Sequence, residues 1–262
     1  MKSFDVIVVG AGVHGASSAL ALGRAGYDVL LLERFEVGHA RGSSHGESRI
    51  IRRAYAEAEY SSLAARAFES WRALEVETGQ RLLHACTHLD LAHSDSEVLL
   101  GIESAMTQAR APFERLDAAA LRARYPQFRL PPEYAGLLDP GAGILEGTRA
   151  VQNLVALSKQ MSVQVREHAA VRGLEVTSAG VQVSLDGERL EAGALVLTAG
   201  AWTNTLLHDL GARLPAKKIF ARKRFTLIPT QPTPRRSRPM PSRCSMIITR
   251  ACTAFRCSPV KA

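Results

Sequence analysis

Residues 4–33 read FDVIVVGAGVHGASSALALGRAGYDVLLLE. Phe4–Val9 is a short, largely β-branched run of the kind that forms a strand buried on both faces. It ends in Gly10-Ala11-Gly12-Val13-His14-Gly15. Residues 16–25 are rich in Ala and Leu and predict a helix, closed by Gly26. Tyr27–Leu32 predicts a second strand, and Glu33 follows it, 18 residues after Gly15. Strand, glycine loop, helix, strand and acid together form the signature of a dinucleotide-binding βαβ unit. Gly10 allows the tight turn, Gly12 lets backbone approach a pyrophosphate, and Gly15 lets helix and strand pack closely. The phosphates sit at the positive helix N-terminus. Glu33 can accept hydrogen bonds from ribose hydroxyls, and its charge would repel a 2′-phosphate, which disfavours NADP. The motif leaves NAD and FAD both open. The plainer alternative is a βαβ unit whose glycines serve packing alone.

Residues 38–55, GHARGSSHGESRIIRRAY, crowd Gly, Ser and His into a loop and then place Arg49, Arg52 and Arg53 in quick succession. On a helix, Arg49 and Arg52 would share a face. Two guanidiniums near a cofactor loop suit an anionic substrate, because the Arg fork matches a carboxylate bidentately. A solvated basic face is the competing reading.

The segments VVGAGVHG, GSSHGESRIIRRAY, AEAEYSSLAARAFESWRALE and LTAGAW together resemble the monomeric sarcosine oxidase and N-methyltryptophan oxidase family, within the D-amino-acid oxidase superfamily. The resemblance covers about residues 3–220. It implies an α/β fold, with a Rossmann-like FAD-binding domain (a parallel sheet with a β-meander) and part of an α+β substrate domain. It assigns Gly10, Gly12, Gly15, Glu33 and Arg34 to the ADP part of FAD, and Ser43, Ser44 and His45 to the flavin side. Val171 approaches the adenine, and Gly200 and Trp202 lie near the cofactor. Arg49 sits beside the isoalloxazine ring, and Arg52 pairs with the substrate carboxylate. The implied reaction oxidises a secondary amino acid such as sarcosine, with oxygen as acceptor and hydrogen peroxide as product. N-methyltryptophan and pipecolate are alternative substrates. A truncated, inactive FAD-binding fragment and a nicotinamide-dependent dehydrogenase are the competing functions. The flavin-attachment cysteine and the oxygen-activating lysine of the family have no counterpart that can be placed in this chain.

Along the middle of the chain, Leu63, Ala67, Trp71 and Leu74 recur at helical spacing and predict the core face of a helix over 60–78. A strand is expected over 87–92, a helix over 96–109, and a short helix over 118–124 capped by Asp117. His84, His88 and His93 are too loosely spaced for a convincing metal site. A helix over 148–160 precedes short strands at 163–166, 171–176, 181–185, 189–191 and 194–198, with a hairpin signal at Asp186-Gly187. The expected organisation is a discontinuous FAD-binding domain over 1–80 and 147–215, a partial substrate domain over 81–146, and a basic low-order tail over 221–262.

The chain has 262 residues, is 46% hydrophobic, and carries a net charge of +8. That length supports a real core and excludes wholesale disorder. The charge is not evenly spread. Residues 1–220 carry 23 basic and 25 acidic side chains, whereas 221–262 carry ten basic and no acidic ones. The basic balance is therefore not a nucleic-acid footprint of the folded body. The tail also lacks glycine and holds Cys244, Cys252 and Cys257. Three readings of it compete: a basic arm, a linker or degenerate domain, and a stretch translated out of frame. In a shifted frame, codons for Cys252–Cys257 can spell Tyr-Gly-Phe-Pro-Val, and the resembled family carries a Tyr-Gly-Phe-Pro segment at about this distance from its GAW motif. The absence of a secretory signal or of a run of about 18 apolar residues points to a cytoplasmic protein without a membrane span. A monomer acting on a small amino acid, with no nucleic acid and no metal, completes the expectation.

Overall fold

A computed structural model describes residues 2–215 and the backbone of 246–250. The chain starts in β1 (Lys2–Val9), turns at Gly10, runs through α1 (Val13–Arg24) and returns in β2 (Val29–Leu32). Every residue of β2 is buried, as are Val6–Val9 of β1. Each such aliphatic side chain contributes about 1.5–3 kcal/mol on burial. β1 and β2 pair in parallel, Val6 opposite Val29 through Val9 opposite Leu32.

At residue 48 the chain enters a second compact unit, which it leaves after Leu145. This unit holds β3 (Arg49–Ile51), α2 (Ala58–Thr78), β4 (Leu83–His93), α3 (Glu97–Gln108), β5 (Glu114–Leu116), α4 (Ala118–Arg124) and β6 (Tyr134–Leu145). β6 is its organising strand, pairing antiparallel with β3, β4 and β5. The cap predicted at Asp117 is formed, and α3 carries a second one at Ser96. Ser96 Oγ accepts from Leu99 N–H, and Asp117 Oδ1 from Ala120 N–H at 2.7 Å. Residues 48–80 thus belong with this unit rather than with the dinucleotide-binding one, because β3 pairs with β6 and α2 packs on α3 and β4. Arg49 and Arg52 do not share a helix. Arg49 opens a strand, and Arg52 lies just past its end. On α2 the buried residues are Ser61, Phe68 and Leu74, while Leu63 is 55% exposed and Trp71 half-buried, so the apolar stripe read from the sequence is only partly the buried face.

The chain returns to the first unit through α5 (Gly147–Gln160) into β7 (Gln164–Arg166), which pairs in parallel with β2. β8 (Gly173–Thr177), β9 (Gly180–Ser184) and β10 (Arg189–Leu197) then form an antiparallel meander. β10 is one continuous strand where two were expected, since it pairs in parallel with β1 from Leu190 to Leu197. The resulting order is β7-β2-β1-β10-β9-β8. A 3₁₀ turn at Gly200–Trp202, α6 (Thr203–Leu207) and a further 3₁₀ turn follow β10. In the tail, β11 (Met246–Arg250) pairs in parallel with β4. The expectation of a low-order tail over 221–262 otherwise falls on residues outside the described ones. The remaining tail expectations, including the three cysteines, lie outside the described residues.

Candidate functional site

The carboxyl ends of parallel strands β1, β2 and β10 meet at the glycine loop, the position where an open α/β sheet binds its ligand. Gly10 sits at φ +99°, a conformation other residues rarely adopt. Its N–H donates to Leu32 O at 2.8 Å, and Thr198 Oγ1 lies 2.9 Å from both Val9 O and Gly10 O. Gly15 is packed so closely beneath this turn that a Cβ there would lie 1.8 Å from Gly10 O. Gly10 and Gly15 are therefore required by contact, and Thr198 is a participant that the glycine spacing did not reveal.

A cavity of about 580 Å³ opens over this loop, within the range of small-molecule and cofactor sites. Gly10, Gly12, Glu33 and Arg34 line it from the βαβ unit. Ser43, Ser44 and His45 line it from the following loop, and Val171, Gly200 and Trp202 from the returning chain. Gly15 supports the turn from below. Arg49 and Arg52 belong to the other unit.

Glu33 is buried and already engaged. Its carboxylate accepts from Ala11 N–H at 2.8 Å and from Phe35 N–H at 3.0 Å. His39 Nδ1 accepts from Arg41 N–H, which places the ring proton on Nε2, 3.4 Å from Glu33 Oε1. The acid thus ties the glycine loop to the segment after β2 while remaining at the cavity wall. Ser44 Oγ accepts from Val13 N–H at 3.0 Å, satisfying one orphan donor of α1 from 31 residues away. The same loop is pinned to α5, with Gly46 N–H donating to Thr148 Oγ1 at 2.9 Å and Thr148 N–H to Gly46 O at 3.1 Å. Phe35 stands between His39 and Trp202 in edge contacts, with the Arg41 guanidinium 4.4 Å over its ring. Phe35 and His39 carry no motif, and only the folded loop brings them to the cavity.

The cavity meets the requirements of a dinucleotide. A backbone cradle that side chains would fill, the amino end of a helix and a buried acid converge on it. A match to the DAO family model, described as FAD-dependent oxidoreductase, spans residues 5–253. The chain belongs to this family of FAD-dependent oxidoreductases. Human peroxisomal sarcosine oxidase is 36% identical to it over 220 residues, covering 82% of this chain and 55% of that protein. N-methyl-L-tryptophan oxidase of Yersinia pestis is 33% identical, covering 83% of this chain and 59% of its own length. The solved structure of NikD, an amino acid oxidase essential for nikkomycin biosynthesis, superposes with a TM-score of 0.72 at 32% identity, over 82% of this chain and 56% of that one. L-proline dehydrogenase from P. horikoshii shares the fold, with a TM-score of 0.71 at 19% identity. The chain spans little more than half the length of these relatives.

In the second unit, Arg53 and Arg52 are held differently. Arg53 Nη2 donates to Asp139 Oδ1 at 2.7 Å, and Arg53 N–H to Asp139 Oδ2 at 2.9 Å, with Asp139 1% exposed. Arg52 instead meets His88 and Asp90 of β4. Among the described residues no group of three or more His, Cys, Asp or Glu could hold a metal, and no helix is long and apolar enough to cross a membrane.

Proposed function

We propose that the cavity over the glycine loop binds FAD and that the protein oxidises a secondary N-methyl α-amino acid such as sarcosine, with oxygen as acceptor and hydrogen peroxide as product. The observation that carries the reading is the convergence of Gly10, Gly12, Glu33, Ser44 and Trp202 on one cavity of cofactor size, in a chain 36% identical to a sarcosine oxidase. When bound, FAD supplies the two-electron acceptor for the carbon next to nitrogen. This chain's residues hold and orient. The loop from Gly10 and the first turn of α1 take the pyrophosphate, Glu33 and Arg34 the adenosine side, and Val171 the adenine. Ser43, Ser44, His45 and Trp202 face the remainder of the cofactor. Arg52 forks onto the substrate carboxylate, and Arg49 sets the charge near the flavin. Held in this way, the substrate reacts as part of an oriented complex rather than by chance encounter. The protein acts as a cytoplasmic monomer.

The test is to purify the chain and record flavin absorbance before and after acid precipitation, then assay peroxide with sarcosine and with N-methyltryptophan. Flavin released by acid with sarcosine-dependent peroxide supports the full reading. Flavin without peroxide limits it to FAD binding without turnover. A chain that takes up NAD but no flavin would refute it.

A further inference from the structure

One polar cluster lies on the second unit's sheet and has no part in the cavity. Arg52 Nη1 lies 2.9 Å from His88 Nε2 and 3.2 and 3.4 Å from the two oxygens of Asp90. Asp90 Oδ2 is itself 2.9 Å from His88 Nε2. The Arg52 guanidinium also stands 5.2 Å over the Tyr55 ring. His88 and Asp90 are two apart on β4, so they project from one face of the sheet. His88 is wholly buried and Asp90 is 6% exposed, whereas the Arg52 side chain is 23% exposed. A carboxylate at that depth is tolerated only when paired. His88 Nδ1 is buried with no hydrogen-bond partner. A proton on Nδ1 would let Nε2 accept from Arg52 Nη1, but it would leave a buried donor orphaned and set the Nε2 lone pair against the Asp90 carboxylate. The favoured tautomer therefore carries its proton on Nε2 and donates to Asp90, so that His88 Nε2 and Arg52 Nη1 are neighbouring donors to one carboxylate rather than partners of each other. That bond orients the carboxylate toward Arg52.

We propose that Asp90 and His88 are positioning residues for Arg52. Asp90 anchors it through Nη1 and His88 holds Asp90, so that the other N–H groups of Arg52 are presented, already ordered, to the carboxylate of an amino-acid substrate. The inference rests on the carboxylate-binding reading of Arg52. Its physical basis is preorganisation. A long, flexible side chain that is already anchored loses less conformational freedom when ligand arrives. The opposite role, Asp90 as a competitor for the guanidinium, predicts that removing the Asp90 charge tightens substrate binding.

The experiment uses the full chain loaded with FAD. ¹⁵N relaxation at Arg52 Nε, assigned with Arg52→Lys, reads the anchoring directly. Calorimetric titration with sarcosine and with sarcosinamide, which lacks the carboxylate charge, reads its consequence. In Asp90→Asn and in His88→Leu the Nε order parameter is expected to fall below about 0.6. Sarcosine affinity is expected to fall about tenfold while sarcosinamide affinity holds. His88→Gln, whose amide still donates to Asp90, should keep Arg52 ordered. If Asp90→Asn does not fold, the His88 pair carries the same test. Unchanged order at Nε in the folded variants overturns the proposal, as does tighter sarcosine binding in Asp90→Asn. If Arg52→Gln leaves sarcosine affinity untouched while the relaxation results hold, the carboxylate role of Arg52 has failed rather than its anchoring by Asp90.

Discussion

Replacing Gly15 by alanine isolates what the glycine loop needs. Gly15 lies in α1 with ordinary helical backbone, so alanine should by propensity stabilise the helix by about 1 kcal/mol. Its Cβ, however, would lie 1.8 Å from Gly10 O and 2.6 Å from Thr198 Oγ1, where real contacts essentially never fall below 3.0 Å. Gly10 O cannot swing aside as a flexible side chain would, because it is backbone held between Leu32 and Thr198. Overpacking against such a neighbour costs about 1–3 kcal/mol, and loss of the Thr198 bond adds about 1 kcal/mol. The net expectation is a loss of about 1–3 kcal/mol, which for a chain of this size lowers Tm by roughly 2–12 °C. The displaced turn is also the proposed phosphate cradle, so FAD affinity should fall by about tenfold or more. Gly26→Ala is the control. Gly26 sits at φ +85° with no heavy atom near its missing Cβ. That variant should lose about 1–2 kcal/mol to left-handed strain and keep its FAD affinity. Thermal unfolding followed by circular dichroism, with FAD titration by flavin fluorescence, separates the two. A Gly15→Ala protein with native Tm and native FAD affinity would refute the contact argument.

Other outcomes follow from the same geometry. Glu33→Gln keeps the shape but turns an amide onto the Ala11 or Phe35 N–H, and should weaken FAD binding by about 1–3 kcal/mol in a fluorescence titration. Arg53→Met leaves the buried Asp139 with only backbone partners and should destabilise by about 3 kcal/mol in urea unfolding. Asp186 accepts two bonds from Arg172, at 2.8 and 2.9 Å, and that hydrogen bonding, with the guanidinium charge beside it, holds its carboxyl below the ordinary value of 3.8. Its stabilising contribution is therefore present above the unfolded carboxyl range and is lost as pH falls through the lowered value. A carbon-detected NMR titration should show that midpoint, and Arg172→Gln should return it upward.

The dinucleotide-binding half was legible because its signals are local. A strand run, three glycines at fixed spacing and an acid after the second strand can be read without knowing what else touches them. The cap at Asp117 was legible for the same reason, since a cap satisfies donors two or three residues away. β6 was not anticipated, although it organises the second unit. Gly136, Gly141 and Gly143 interrupt its pattern, and each lies against side chains of β3, β4, α4 or Arg53. Such glycines make sense only once the neighbours are in place. The stripe on α2 failed likewise, because periodicity marks an apolar face without showing which part of it another element covers.

Sequence alone determined the βαβ unit, the family resemblance and the candidate cofactor residues, because backbone conformation and residue spacing dictate them over a few turns of chain. Only the tertiary structure decided that Thr198 locks Gly10, that Phe35 and His39 join the cavity wall, and that adjacent Arg53 and Arg52 take different partners. Those outcomes depend on strands far apart in sequence arriving side by side. Arg53 meets Asp139 and Arg52 meets His88 and Asp90 because β6 and β4 deliver those carboxylates, and no spacing between arginines records which acid will be there.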